Sequence, residues 1–309
     1  MTSTELTEWL LDSDVSVQYQ VYRDLLKTDR PDLKARIATE GWGAKFLSLR
    51  KGSGHWGMGF YQPKWISTHY TLLDLKNLGI PNQNRDIDAT LEKIIHEERG
   101  SDGGINPARS VSKSDVCING MFLNYACYFG INENHLKPVV DFLLSQHMAD
   151  GGFNCRLNRY GATHSSLHTT ISVLEGITEY SLNGYTYRLQ ELMKAGEDSI
   201  QFLLEHRLFK SHRTGEIIDK RMLMLSYPSR WYYDILRSLD YFRYAGIGFD
   251  ERMSDAIDIL IKKQQAGKTW PLQARHPGQT HFEMEIPGRP SRWNTLRARR
   301  VLNHYNIHI

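Results

Sequence analysis

The motif Asp115-Val116-Cys117 and the later residue His168 are a set of side chains that could bind a metal ion. Carboxylate, thiolate and imidazole groups are good zinc ligands, and three protein ligands leave a fourth position open, as a catalytic zinc site requires. The pattern therefore predicts zinc at Asp115, Cys117 and His168. The same residues also suit a helix-capping aspartate, a small buried cysteine and a histidine that is hydrogen-bonded in the core.

Basic and aromatic residues form a second candidate site, for an anionic amphiphile. Guanidinium and ammonium groups bind phosphate oxygens through charge-assisted hydrogen bonds, whereas tryptophan and histidine rings can contact the apolar part of a ligand. Solvated surface charges and rings that only pack helices together are the alternative interpretation. The predicted ligand-binding residues are Trp65, His69, Arg109, Lys113, Arg230, Trp231, Arg292 and Trp293.

These residues lie in a chain that repeats one pattern five times: a helix, a glycine turn, a loop and a second helix. Apolar residues at i, i+3 and i+4 predict the helices. The first helices of the repeats are predicted over 32–49, 87–98, 136–147, 188–206 and 251–265. The second helices are predicted over 66–78, 115–128, 166–180, 231–244 and 293–305.

The repeats predict an all-α fold, an α/α toroid of about six helical hairpins. A shorter helix pair, predicted over 4–10 and 15–26, fits the same plan and places an N-terminal pair in residues 1–30 before five repeats in residues 31–309. No polar linker interrupts the series, so we expect a single domain over 1–309. The second helices carry unusual polar residues near their starts, which favours placing them inside a closed ring rather than in an open solenoid.

The longest loops of the repeats precede the second helices, over 57–65, 106–114, 154–165, 218–229 and 271–292. In a toroid these loops share one rim, and long loops on one face of a repeat scaffold usually build the site. The free N–H groups and the positive dipole ends of the second helices lie at the same rim. We therefore expect the anionic ligand there.

Residues 142–153, with the sequence FLLSQHMADGGF, resemble the repeat of the prenyltransferase and squalene-cyclase superfamily. Degraded copies of this motif recur through most of the chain. The resemblance implies the α/α toroid and a central cavity for an isoprenoid or a similar amphiphile. It does not by itself choose a function, because the superfamily includes cyclases, transferase subunits and non-enzymatic members.

Within that superfamily the chain is most similar in motif to the β subunits of protein prenyltransferases, in which Asp-x-Cys and a later His-Thr bind zinc. The resemblance implies that Asp115, Cys117 and His168 bind zinc, and that Arg109, six residues before the aspartate, helps to hold a diphosphate. Two positions depart from the pattern, since Ile118 and Leu167 replace aromatic residues of the family. The family also works with a helical-repeat α subunit that this chain does not contain.

A terpenoid-cyclase activity by the family mechanism is not expected. That mechanism needs Asp-x-Asp-Asp at the start of an inner helix, and residues 115–118 have Cys117 in place of the acid. Residues 86–89 and 12–15 are the best matches elsewhere, and the first of them opens a predicted outer helix.

Composition excludes several other classes of protein. Lys and Arg number 38 and Asp and Glu 35, a formal net charge of +3 that is too balanced for a general nucleic-acid binder. No apolar run is long enough for a membrane span. Three cysteines and a polar start without a secretory signal predict a reducing, cytoplasmic location.

Two hypotheses about function remain open at this point. The first is a zinc-dependent prenyltransferase-like transferase that holds an isoprenoid, with its diphosphate at the basic rim. The second is a non-catalytic toroid, or a cyclase-like protein without the acid, that binds a small molecule or a protein partner through the same rim.

Overall fold

A computed structural model describes residues 1–107 and 111–308 of the chain, apart from the side chains of residues 158 and 159. This part of the chain is mostly helical. Its only sheet is a two-residue antiparallel pairing of β1 (Trp270–Pro271) with β2 (Pro290–Ser291). The all-α class is therefore confirmed, whereas closure of the repeats into a ring stays a prediction.

The helices follow the predicted repeats closely. Within the described ranges, no helix is long and apolar enough to cross a membrane. The α-helices in chain order are α1 (Ser3–Leu11), α2 (Val15–Asp24), α3 (Pro31–Arg36), α4 (Gly41–Ser48), α5 (Thr68–Leu78), α6 (Arg85–Glu97), α7 (Val116–Tyr128), α8 (Glu133–Ser145), α9 (Leu157–Tyr160), α10 (Leu167–Leu182), α11 (Leu189–Glu205), α12 (Ile235–Tyr244), α13 (Ser254–Lys262) and α14 (Arg292–His304).

The helix predicted over 32–49 is in fact two helices, α3 and α4. Gly41, the first residue of α4, adopts a left-handed conformation with φ of 60°. The carboxylate of Asp14 accepts the backbone N–H of Trp42 at 2.7 Å and so anchors the start of α4. A left-handed residue ends an α-helix, and glycine adopts it without steric cost.

The fourth of the second helices, α12, begins at Ile235 and not at Trp231 as predicted. Asp234 is its N-cap residue and accepts the backbone N–H of Arg237 at 2.8 Å. Aspartate is a favoured N-cap because its carboxylate satisfies a free N–H of the first turn. Arg230 and Trp231 therefore precede the helix.

The chain divides into two compact units. Unit 1 contains residues 1–49, 77–81 and 206–309, and unit 2 contains residues 50–76 and 82–205. The prediction of a single domain over 1–309 stays a prediction.

In unit 2, helices α7 and α10 pack backbone to backbone. A Cβ atom added to Gly176 in α10 would lie 2.5 Å from the carbonyl oxygen of Gly120 in α7, so the helices approach as closely as they do only because glycine has no side chain.

In unit 1, buried ion pairs join three predicted second helices. Arg300 of α14 bonds Asp24 of α2 at 2.8 Å and also bonds Asp240 of α12. Arg297 of α14 lies 3.4 Å from the same Asp240 carboxylate. All four side chains are largely shielded from solvent. Removal of one charge would therefore leave its partners buried without compensation.

Candidate functional site

The predicted zinc ligands lie at the starts of two helices of unit 2. Asp115 is the N-cap residue of α7, Cys117 lies in the first turn of α7, and His168 is the second residue of α10. All three are half-buried. Among the described residues, no three His, Cys, Asp or Glu side chains form a group that could hold a metal ion. Zinc therefore stays a prediction.

The structure adds a residue to this site that sequence reasoning missed, Cys155. The backbone N–H of Cys117 donates to its Sγ at 3.0 Å, and the Thr169 hydroxyl lies 3.5 Å from the same sulfur. The backbone N–H of Cys155 in turn donates to Thr169 Oγ1 at 3.3 Å. Cys155 thus contacts the first turns of both α7 and α10. Its place in the predicted rim loop 154–165 was the one available signal.

The two cysteines differ in acidity. Burial raises the pKa of Cys155, but hydrogen bonds from the Cys117 thiol, the Thr169 hydroxyl and the Cys117 backbone N–H outweigh burial and lower it overall. The hydrogen bond to Cys155, together with burial, raises the pKa of Cys117 well above its usual range. A helix N-terminus stabilises a thiolate in the same way. Cys155 is therefore the more acidic thiol of the pair.

An aromatic cluster surrounds His69, near the start of α5 in the same unit. Phe60, Tyr61, Tyr70 and Tyr125 place their rings 4.8–5.6 Å from the imidazole, between centroids. The Nδ1 atom of His69 lies 3.1 Å from the Tyr125 hydroxyl. His69 is fully buried, so its polar atoms depend on neighbours within the protein or on a bound molecule.

The other ring nitrogen of His69 has no such neighbour. Its Nε2 atom is buried and makes no hydrogen bond to any residue that the structure describes. Burial and the nearby charge of Lys64 lower the pKa of His69 to about 3, so the ring is neutral. A neutral imidazole has one donor and one acceptor nitrogen, and Nε2 is the one left to bond a bound molecule.

Lys64 connects the aromatic cluster with the cysteines. Its Nζ lies 4.8 Å from the ring centroid of Trp65, which itself packs edge-on against Tyr70. Burial lowers the pKa of Lys64, and the negative charges of Cys117 and Asp115 offset this effect only in part. Lys64 is not among the ligand-binding residues predicted from the sequence, although it belongs to the predicted rim loop 57–65.

Two of the predicted ligand-binding residues belong to the predicted rim loop 106–114. Lys113 is exposed in the loop before α7. Arg109 lies outside the described residues.

The remaining four predicted ligand-binding residues belong to unit 1. Trp293, at the start of α14, is buried and stacks on Tyr227 with centroids 4.6 Å apart. Trp231 stacks on Tyr232 at 4.0 Å.

The two arginines of this set have structural contacts within unit 1. Arg230 is buried, with 7% of its surface exposed. The guanidinium of Arg292 lies 4.7 Å from the ring of Trp9, and its backbone N–H donates to Glu285 at 2.6 Å.

Comparison of the chain with models of known protein families and with curated protein sequences gives no match. The resemblance to the prenyltransferase repeat therefore depends on the motifs of the sequence alone.

Proposed function

We propose that this chain is a prenyltransferase-like α/α toroid that binds an anionic amphiphile of the isoprenyl diphosphate class in unit 2. The observation that carries this proposal is the buried Nε2 atom of His69, which has no hydrogen-bond partner among the described residues inside an aromatic cluster. A buried polar atom without a partner commonly indicates a missing water or ligand.

The anionic end of the ligand would lie near Lys64 and the starts of α7 and α10. The side chain of Ser166, the N-cap residue of α10, accepts no hydrogen bond from the first turn of that helix. Helix N-termini attract anions through free N–H groups and the helix dipole. Lys64 supplies a positive charge close to the same point.

The apolar part of the ligand would lie against the aromatic residues around His69. Aromatic faces provide large apolar contact areas that suit a branched hydrocarbon chain. With Nδ1 of His69 accepting from the Tyr125 hydroxyl, Nε2–H is the donor and can bond an oxygen of the ligand.

The described residues support binding of the ligand, and zinc chemistry at this site stays a prediction. Bound zinc would lower the pKa of an acceptor thiol and so prepare it for alkylation. The described side chains do not form a three-ligand set. Binding of the ligand is therefore tested first, and release of diphosphate then separates transfer catalysis from non-catalytic binding.

Calorimetric titration with farnesyl diphosphate, farnesol and inorganic diphosphate tests binding. Farnesyl diphosphate should bind more tightly than either fragment, because only it fills both parts of the site. Lys64→Ala should weaken binding by about 1–3 kcal/mol through loss of a charge-assisted contact. Lys51→Ala, an exposed lysine of the same unit, is the matched control and should leave affinity unchanged. Equal affinity for inorganic diphosphate and farnesyl diphosphate would refute the proposal.

Arg109→Ala tests the contact that the resemblance implies. It should weaken farnesyl diphosphate binding by about 1–3 kcal/mol, and unchanged affinity with an intact fold would remove Arg109 from the site. Diphosphate release in the presence of a thiol acceptor would show transfer, whereas tight binding without release would favour the non-catalytic alternative.

A further inference from the structure

We propose that Cys155 and Cys117 form a redox-active dithiol that exchanges with low-molecular-weight disulfides and closes to a Cys117–Cys155 disulfide. This inference is independent of isoprenoid binding, because it depends only on the two sulfurs and the groups that contact them.

Cys117 and Cys155 lie close together in the structure. Sγ of Cys155 lies 3.0 Å from the backbone nitrogen of Cys117, so this sulfur is in contact with the first turn of the helix that carries the second thiol. One bond joins Cα of Cys117 to its backbone nitrogen, and two bonds join Cα of Cys155 to its Sγ. Together with the 3.0 Å contact, these bonds place the two Cα atoms at most about 7 Å apart. Disulfides join Cα atoms about 4.4–6.8 Å apart, so a small local shift suffices for closure.

The surroundings of the two sulfurs differ. Two hydrogen-bond donors lie at the sulfur of Cys155: the backbone N–H of Cys117 at 3.0 Å and the Thr169 hydroxyl at 3.5 Å. Donors at a sulfur favour its thiolate form, which is the nucleophile in thiol–disulfide exchange. The geometry therefore makes Cys155 the attacking sulfur and Cys117 the resolving one, and both residues are half-buried rather than sealed in the core.

The exchange takes place in two displacement steps. The Cys155 thiolate attacks one sulfur of a small disulfide RSSR, which forms a Cys155–S–S–R mixed disulfide and releases RS⁻. Cys117 then gives up its proton to solvent and attacks Sγ of Cys155, which forms the Cys117–Cys155 bond and releases the second RS⁻. The protein dithiol is oxidised and the small disulfide is reduced to two thiols.

The third cysteine provides an internal control. Cys127 is fully buried within α7 and is not part of the pair. It should stay a free thiol under conditions that oxidise the other two.

The test incubates the intact chain with glutathione disulfide, followed by acid quenching, alkylation of free thiols and peptide mass spectrometry. The wild type should lose two free thiols together and yield a linked peptide pair that contains Cys117 and Cys155, and dithiothreitol should restore both. Cys127→Ser should behave like the wild type.

The single variants test the roles. Cys117→Ser should retain a glutathionyl group on Cys155, since nothing resolves the mixed disulfide. Cys155→Ser should acquire a glutathionyl group on Cys117 at least about tenfold more slowly, because this sulfur lacks the donors that surround Cys155.

Two results would overturn the inference. The first is a wild-type chain that keeps three free thiols after prolonged incubation while small-molecule dithiols in the same buffer oxidise. The second is modification of Cys117 in Cys155→Ser as fast as that of Cys155 in Cys117→Ser, which would refute the assigned order of attack. Because no isoprenoid is present, neither result depends on the function proposed above.

Discussion

The Nδ1 atom of His69 and the hydroxyl oxygen of Tyr125 lie 3.1 Å apart, although 56 positions of the chain separate the two residues. Both side chains are fully buried. The contact joins α5 to α7 and fixes the orientation of the imidazole, so that Nε2 is the nitrogen left for a bound molecule. Two predictions follow from this pair.

The stability of the protein should fall on acidification because His69 is buried in its neutral form. Its folded pKa is about 3, below the unfolded value of about 6.5. Between these values the unfolded chain binds the proton and the folded chain does not. The free energy of unfolding should therefore decrease by about 1.4 kcal/mol for each pH unit below pH 6.5 from this group alone.

Denaturant unfolding at several pH values, for His69→Phe and wild type, measures this contribution. The variant should lose that part of the pH dependence between pH 6.5 and 4, whereas His96→Phe, at an exposed position of α6, should keep it. Identical pH profiles for His69→Phe and wild type would contradict the assignment.

Tyr125→Phe should destabilise the protein by about 1–3 kcal/mol, because it leaves a second nitrogen of the buried His69 ring without its hydrogen bond. Equilibrium unfolding at pH 7.5 measures the change. Tyr160→Phe, a tyrosine that is 77% exposed, is the matched control and should have almost no effect. A loss for Tyr125→Phe no larger than the control would mean that the bond to His69 does not contribute.

Asp240→Asn should cost about 3–5 kcal/mol of unfolding free energy, because Arg300 and Arg297 would keep their buried charges without the carboxylate that compensates them. Asp258→Asn, at an exposed position of α13, removes the same charge and should be nearly neutral. Comparable small effects of both variants in urea unfolding would argue against the ion-pair network.

Zinc binding is the prediction that the sequence makes most specifically, and elemental analysis of the purified, reduced protein tests it. If Asp115, Cys117 and His168 bind zinc, the wild type should carry one equivalent and Cys117→Ser should lose it. Cys127→Ser should retain it, since this thiol is buried near the C-terminal end of α7, far from the predicted ligands at its start. Absence of zinc from the wild type after metal supplementation, or its full retention by Cys117→Ser, would reject the site.

Cys155→Ser separates the zinc site from the dithiol. If Cys155 joins the ligands, this variant should lose zinc as Cys117→Ser does. If it keeps its zinc, Cys155 is outside the ligand set, and chelation should then speed disulfide closure of the wild type, because removing the metal frees the Cys117 thiolate.

The helices of this protein could be predicted from its sequence with only local errors. An apolar stripe at i, i+3 and i+4 is a property of neighbouring residues, so α6, α7, α10 and α14 were located to within a few positions. The errors at 32–49 and at Trp231 arose at turns, where Gly41 and the capping residue Asp234 set the boundary.

Some features of the candidate site could likewise be predicted from the sequence, and others depend on the tertiary structure. The sequence by itself determined that Cys117 and His168 open successive second helices, because the repeat period fixes their positions. Only the tertiary structure decided that Cys155, 38 residues after Cys117, places its sulfur against the first turn of α7. It also decided that the Nε2 atom of His69 is buried with no hydrogen-bond partner among the described residues. The path of a loop and the packing of rings depend on contacts between distant segments, and no local pattern of residues encodes them.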